Sequence, residues 1–149
     1  MQTVQMKSRR LGLMLAVWLC STQVAANQIH RVEASATAFS PKILFIQPGD
    51  TVQWTNMPAH DTVSITGMIP AGAAGWTSKM GENFATTLAT PGAYIYKCSP
   101  HIGMGMLGAI IVGDERPANL AEIAVHPQNK GMVARTIRLM NEKLAARDE

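Results

Sequence analysis

Residues 98–106 read Cys-Ser-Pro-His-Ile-Gly-Met-Gly-Met, and they lie between two largely apolar runs. Residues 93–97 before them and 107–112 after them are rich in aromatic and β-branched side chains, as strands are. The sequence therefore predicts a loop between two strands. This loop carries a thiol at Cys98, an imidazole at His101 and thioethers at Met104 and Met106.

A second imidazole, His60, precedes residues 62–66, which alternate between apolar and polar side chains as a strand does. Two imidazoles and one thiolate in a near-trigonal plane, with a weak axial thioether, describe the blue copper electron-transfer site. A lone cysteine is more often a small buried hydrophobe, so the prediction depends on the combined spacing and on the strand–loop–strand context. We expect one copper ion that cycles between Cu(I) and Cu(II).

The segment from residue 29 to residue 113 has the pattern of short strands separated by turns. Strands are predicted at residues 43–46, 51–55, 62–66, 84–88, 93–98 and 107–112. Such a series favours an antiparallel sandwich or barrel. Residues 67–83 predict a glycine-rich surface loop. Two helices are predicted after the last strand. The first is short, at 116–123, with Pro117 in its first turn, and the second is longer, at about 130–146.

The first 26 residues have the pattern of a secretory signal peptide. A basic stretch at 7–10 is followed by an apolar run at 11–20, about half the roughly 20 residues that a membrane span needs, and then by small residues up to Ala26. We expect cleavage near Ala26, a single domain at 27–149 without a membrane span, and location in the periplasm.

Cleavage at this point changes both the charge and the cysteine count. The whole chain has 13 basic and 10 acidic residues, and the removed segment carries basic residues but no acidic ones. The mature charge is then near zero, which gives no support for nucleic-acid binding. Cys98 becomes the sole thiol. Because a free thiol is vulnerable in an oxidising compartment, a bound metal ion is its expected partner.

Several short motifs resemble the cupredoxins, and among them the pseudoazurins. They are Gly67-Met68-Ile69-Pro70, Ser78-Lys79-Met80, Pro91-Gly92-Ala93-Tyr94, Lys97-Cys98-Ser99-Pro100-His101, Met104-Gly105-Met106, Val112-Gly113-Asp114 and Pro117-Ala118-Asn119-Leu120. The similarity extends over nearly the whole mature chain. It implies a mainly β fold, an eight-stranded Greek-key β-sandwich with two C-terminal α-helices.

The resemblance also implies a ligand set and a role. His60, Cys98 and His101 would be the strong copper ligands and Met106 the axial one, with Met104 as the competing thioether. The family implies an electron carrier rather than an enzyme. Its expected partners are periplasmic redox proteins, for example a nitrite reductase, another reductase or a c-type cytochrome, bound by transient docking. We expect a monomer.

The exposed edge of His101 is the expected exit for electrons, with an apolar docking patch around it. The candidates for this patch are Met57, Pro58, Met68, Pro100, Ile102 and Met104. Lys79 and Lys97 are the obvious candidates for a basic ring, so we expect weaker steering toward an acidic partner than the family typically has.

Asp61 stands where the family usually has asparagine, directly after the first histidine ligand. A carboxylate that faces the copper would favour Cu(II) and lower the reduction potential. A protonated side chain, or one turned to solvent, would not.

Three other functions use a similar donor set. A copper storage or delivery protein needs an exchangeable metal. A copper enzyme needs a second metal site, and His30 and His126 form no obvious extra cluster. A zinc site accepts the same cysteine and histidine ligands. Metal loss to a chelator, a nitrite assay and colour with copper(II) would distinguish these functions from electron transfer.

Overall fold

The computed structural model describes residues 27–149, which form two four-stranded sheets followed by two helices. The elements are β1 (Ile29–Ser35), β2 (Ala38–Ser40), β3 (Ile43–Ile46), β4 (Asp50–Thr55), β5 (Val63–Ser64), β6 (Phe84–Leu88), β7 (Gly92–Lys97), β8 (Leu107–Val112), α1 (Leu120–Val125) and α2 (Gly131–Ala145). The mainly β fold with eight strands and two C-terminal helices is confirmed. The predicted signal peptide lies outside the described residues.

The two sheets have the strand orders β2-β1-β4-β6 and β3-β8-β7-β5. Two pairs are parallel, β1 with β4 and β3 with β8, so the prediction of an antiparallel sandwich is wrong for them. Parallel neighbours need a long connection rather than a hairpin, and here intervening strands supply it. A local pattern of turns carries no information about such distant pairing.

Strands β7 and β8 separate two apolar cores. Tyr94 and Tyr96 pack with Trp54 in the core between the sheets, whereas Ala93 and Ile95 face the outer core. Successive side chains of a strand point to opposite faces, and both faces of this sheet are covered. For this reason β8 is buried along its whole length.

Helix α2 covers the outer face of the β3-β8-β7-β5 sheet and contacts the short 3-10 turn Ile102–Met104 at the end of β7. Val133, Ile137, Met140 and Leu144 form its buried face at helical spacing, as the sequence predicts. Thr136 is buried beside them, and Met132 is half-buried. None of the helices within residues 27–149 combines the length and the apolarity needed to cross a membrane.

Helix α1 begins at Leu120, not at Arg116, and Pro117 lies before it. The reason is a contact with β7. The Asn119 amide accepts a hydrogen bond from the Ala93 N–H (2.9 Å) and donates one to the Ala93 carbonyl (2.8 Å). These two hydrogen bonds hold Asn119 against β7, and the helix begins at the next residue, Leu120.

Candidate metal centre

Cys98, His101 and Met106 all lie between β7 and β8, as the sequence predicts. Backbone hydrogen bonds fold this loop on itself. The His101 N–H donates to the Cys98 carbonyl (3.2 Å), the Met106 N–H donates to the His101 carbonyl (3.2 Å), and the Cys98 N–H donates to the Met106 carbonyl (2.9 Å). The three residues are therefore fixed relative to one another by the backbone itself.

Gly105 and Lys42 stabilise the conformation of this loop. Gly105 has φ +88°, a left-handed conformation that favours glycine, and its N–H closes the 3-10 turn by donating to the Ile102 carbonyl (3.0 Å). Lys42 donates from Nζ to the Gly105 carbonyl (3.0 Å). Sequence reasoning missed Lys42, because nothing in the local pattern around it indicates a contact 63 residues away.

His60 comes from a separate segment, just before β5. Its N–H donates to the Met57 carbonyl (3.0 Å), and its carbonyl accepts from the Gly81 N–H (2.9 Å). Ser78 supports the same segment, since its hydroxyl accepts from the Thr62 N–H (2.9 Å). The connection predicted as a surface loop thus includes buried residues that hold His60 in place.

The side chains of His60, Cys98 and His101 converge on one point. The two Nδ1 atoms lie 3.0 Å apart, and the Cys98 Sγ lies 3.6 Å from Nδ1 of His60 and 3.4 Å from Nδ1 of His101. His60 and Cys98 are buried, and His101 is partly exposed. No other cluster of three or more histidine, cysteine or acidic side chains with metal-site spacing occurs within residues 27–149.

These distances fit a metal ion. A point about 1.9 Å from all three donor atoms lies inside their triangle, close to the roughly 2.0–2.3 Å of typical metal–nitrogen and metal–sulfur bonds. One thiolate and two imidazoles in a plane are the donors of a type 1 copper site. The residues present therefore fit copper by both spacing and chemistry.

Burial shifts the pKa of two of these donors. It lowers the pKa of His60, and the neighbouring His101 adds to this effect. Burial also raises the pKa of the Cys98 thiol. Backbone hydrogen bonds from Asp61 and His101 partly oppose this rise, and the negative charge of Asp61 adds to it. A neutral imidazole is ready to bind a metal ion, whereas the thiol must release its proton as the metal binds.

The two candidate thioethers differ sharply in position. Met106 is fully buried and is joined by its backbone to both Cys98 and His101. Met104 is 54% exposed and lies on the 3-10 turn. Only Met106 is enclosed with Cys98 in the core between the sheets.

The surface beside His101 differs from the predicted apolar patch. Met57 and Met68 are buried in the two cores, so their inclusion is wrong. Pro58, Pro100 and Met104 are exposed and Ile102 is half-buried. Hydrophobic periodicity cannot predict the burial of methionines in irregular segments, because these residues belong to no strand or helix face.

A groove beside the 3-10 turn that follows His101 was not predicted from the sequence. It has a volume of about 400 Å³ and is lined by Ile102, Gly103, Gln128, Lys130, Met132 and Val133. It forms where the start of α2 meets the 3-10 turn. The groove is mainly apolar, and the exposed Lys130 lies at its edge.

Asp61 faces the protein interior and is only 7% exposed. Its Oδ1 accepts a hydrogen bond from the Ser99 N–H (2.5 Å). The side chain thus joins the segment of His60 to the loop of Cys98 and His101.

Comparison with known proteins agrees with this geometry. A family model described as copper binding proteins of the plastocyanin/azurin family matches residues 26–113, which include all four candidate ligands. The chain belongs to this family. It is accordingly a blue copper electron carrier and not an enzyme. The predicted resemblance to cupredoxins and pseudoazurins is confirmed.

Relatives of this cupredoxin include several pseudoazurins. A Rhizobium leguminosarum bv. viciae protein named "Putative pseudoazurin" is 43% identical over 74% of this chain and 72% of its own length. The pseudoazurin structure from Sinorhizobium meliloti is 37% identical, with TM-score 0.67, and covers 78% of this chain and 98% of its own. The pseudoazurin structure from Methylobacterium extorquens AM1 is 27% identical, with TM-score 0.70, and covers 77% and 98%.

Proposed function

We propose that the mature protein, residues 27–149, is a monomeric periplasmic carrier that binds one copper ion through His60, Cys98, His101 and Met106. The observation that supports this proposal most strongly is the triangle of Nδ1, Sγ and Nδ1 atoms with sides of 3.0–3.6 Å. Met106 would supply the thioether ligand, since it is the buried one of the two methionines in the loop and its backbone is hydrogen-bonded to Cys98 and His101. Removal of residues 1–26 as a signal peptide accounts for export.

The protein's contribution to electron transfer is a donor set that does not move. Bound copper supplies the one-electron couple between Cu(I) and Cu(II), and its preferred geometries in these two states differ. The backbone bonds among Cys98, His101 and Met106, together with those that fix His60, hold the donors in one compromise arrangement. Little rearrangement then accompanies each change of charge.

His101 is the exit for the electron because it is the partly exposed member of the donor triangle. The apolar surface of Pro100, Ile102 and Met104 around it suits brief contact with a redox partner, for example a reductase or a c-type cytochrome. Small interfaces of this kind are typical of electron-transfer complexes. Lys130 adds a positive charge at the edge of this surface and favours an acidic partner.

The test is the visible and electron-paramagnetic-resonance spectrum of the mature protein loaded with copper(II), followed by redox titration. We expect an intense blue colour that a mild reductant removes and an oxidant restores. Cys98→Ser should abolish the colour, whereas Ser99→Ala should keep it, because that variant retains the neighbouring backbone and loses only an exposed hydroxyl.

A colourless, redox-silent copper-loaded protein would contradict the proposal, as would a Cys98→Ser variant that stays blue. A blue protein that loses its copper rapidly to a chelator without unfolding would instead support storage or delivery, the alternative function for the same ligands.

A further inference from the structure

Asp61 is a buried acidic residue, 7% exposed. Within the described part of the chain, no lysine, arginine or histidine nitrogen lies within ion-pair distance of it. Burying a charge is costly unless hydrogen bonds or an opposite charge compensate for it. The Ser99 N–H supplies one hydrogen bond but no charge.

The position of Asp61 indicates that a metal ion held by the donor triangle would supply the positive charge that compensates for its carboxylate. Asp61 directly follows His60 in the sequence, and its Oδ1 is bonded to the residue that directly follows Cys98. The carboxylate therefore lies between the segment that carries His60 and the loop that carries Cys98.

We propose that the Asp61 carboxylate sets the redox balance of the metal centre, by stabilising the more highly charged oxidised ion through its own fixed negative charge. This inference rests on the proposed copper site. The oxidised ion carries one more positive charge than the reduced ion, so a nearby carboxylate in a poorly solvated site favours the oxidised state. Asp61 acts as a positioning residue as well, because its hydrogen bond joins the two ligand segments.

The charge and the hydrogen bond can be separated by substitution. Asp61→Asn keeps an oxygen that can accept from the Ser99 N–H and removes only the charge. Asp61→Glu keeps the charge and alters the reach of the side chain. Glu82→Gln is the matched control, because it removes the same charge from an exposed side chain that pairs with Lys79 on the surface.

The measurement is the reduction potential of each copper-loaded variant, with the Cu(I) and Cu(II) affinities of the apoprotein as a second readout. In Asp61→Asn, we expect the ratio of oxidised to reduced copper at a fixed potential to fall at least tenfold, which equals a rise of about 59 mV for one electron. Its Cu(II) affinity should fall more than its Cu(I) affinity. Asp61→Glu should stay nearer to the parent protein than Asp61→Asn does, and Glu82→Gln should match the parent.

A potential for Asp61→Asn that moves no further than that of Glu82→Gln would overturn the inference while leaving the copper site intact, because the parent would still be blue. Equal shifts in Asp61→Asn and Asp61→Glu would also overturn it, since they would assign the effect to shape and not to charge. If Asp61→Asn does not fold, the comparison of Asp61→Glu with Asp61→Ser decides the same question. Failure of the proposed function itself would be seen separately, as a colourless parent protein.

Discussion

Nδ1 of His60 lies 3.0 Å from Nδ1 of His101, although 41 residues separate them in the sequence. The two rings meet at an interplanar angle of 62°, so both nitrogens face the same small space beside the Cys98 thiol. This approach brings together two segments that are each fixed by their own hydrogen bonds. Hydrogen bonds of the fold itself therefore fix the relative positions of the donors.

The different exposures of the two histidines predict different responses to their removal. His101→Gly and His60→Gly should both abolish the blue colour. Added imidazole should restore it readily in His101→Gly, because the vacated space opens to solvent, and poorly in His60→Gly, because His60 is 6% exposed. Absorption titrations with imidazole measure this difference. Equal recovery in both variants would contradict the assignment of His101 as the accessible edge.

The choice between the two thioethers is tested by paired leucine substitutions. Met106→Leu should raise the reduction potential and alter the spectrum, because loss of a weak donor disfavours the oxidised ion more than the reduced one. Its cost in unfolding free energy should stay below about 1.5 kcal/mol, as for other volume-conserving exchanges in a core. Met104→Leu, at an exposed position, should change neither property. A larger effect from Met104→Leu would assign the axial role to Met104 instead.

We expect the buried carboxyl of Asp50 to contribute to the free energy of unfolding in a pH-dependent way. Hydrogen bonds from the Gln28 and Gln47 N–H groups and from His30 lower the pKa of this buried carboxyl, the Gln28 bond most strongly. Because the folded pKa lies below the unfolded value of about 3.9, the contribution is present above that value and is lost as the pH falls through the folded pKa.

Asp50→Asn should therefore lower the free energy of unfolding by about 1.5–3 kcal/mol at pH 7, the range for hydrogen bonds to a charged group. The difference from the parent should shrink as the pH falls below 4. Denaturant unfolding of both proteins between pH 7 and pH 3 provides the measurement. A difference that grows toward acid would reverse the sign of this linkage and refute the prediction.

The groove beside the 3-10 turn that follows His101 predicts which surface lysine matters for partner binding. Lys130→Gln should slow electron transfer to an acidic redox protein by a few-fold at low ionic strength, and the effect should fade as salt increases. Lys143→Gln is the control, since it removes the same charge near the other end of α2. Stopped-flow kinetics at two ionic strengths test this. Equal slowing by both variants would show that net charge, and not the groove, governs the association.

Several elements could be predicted from local sequence because local geometry encodes them. Strands β3, β6 and β8 coincide with their predicted bounds, since the apolar and alternating runs there end at clear turn residues. The apolar stripe of α2 and the loop that carries Cys98, His101 and Met106 follow from spacing alone. The donor types, and hence copper as the expected ion, also depend only on which residues occur in that loop and on the presence of His60 upstream of it.

The remaining features depended on which distant segments became neighbours. The parallel pairing of β1 with β4, the burial of Met57 and Met68, and the contact of Lys42 with Gly105 have no local signature. The orientation of Asp61 was open in the sequence, because an inward and an outward side chain are equally compatible with its neighbours along the chain. Pairing of β5 with β7 settled it, because this antiparallel register brings the Ser99 N–H against the Asp61 side chain. The sequence alone thus determined which chemical groups are available, whereas the tertiary structure decided their distances, because only the closed fold brings residues 60 and 101 into contact.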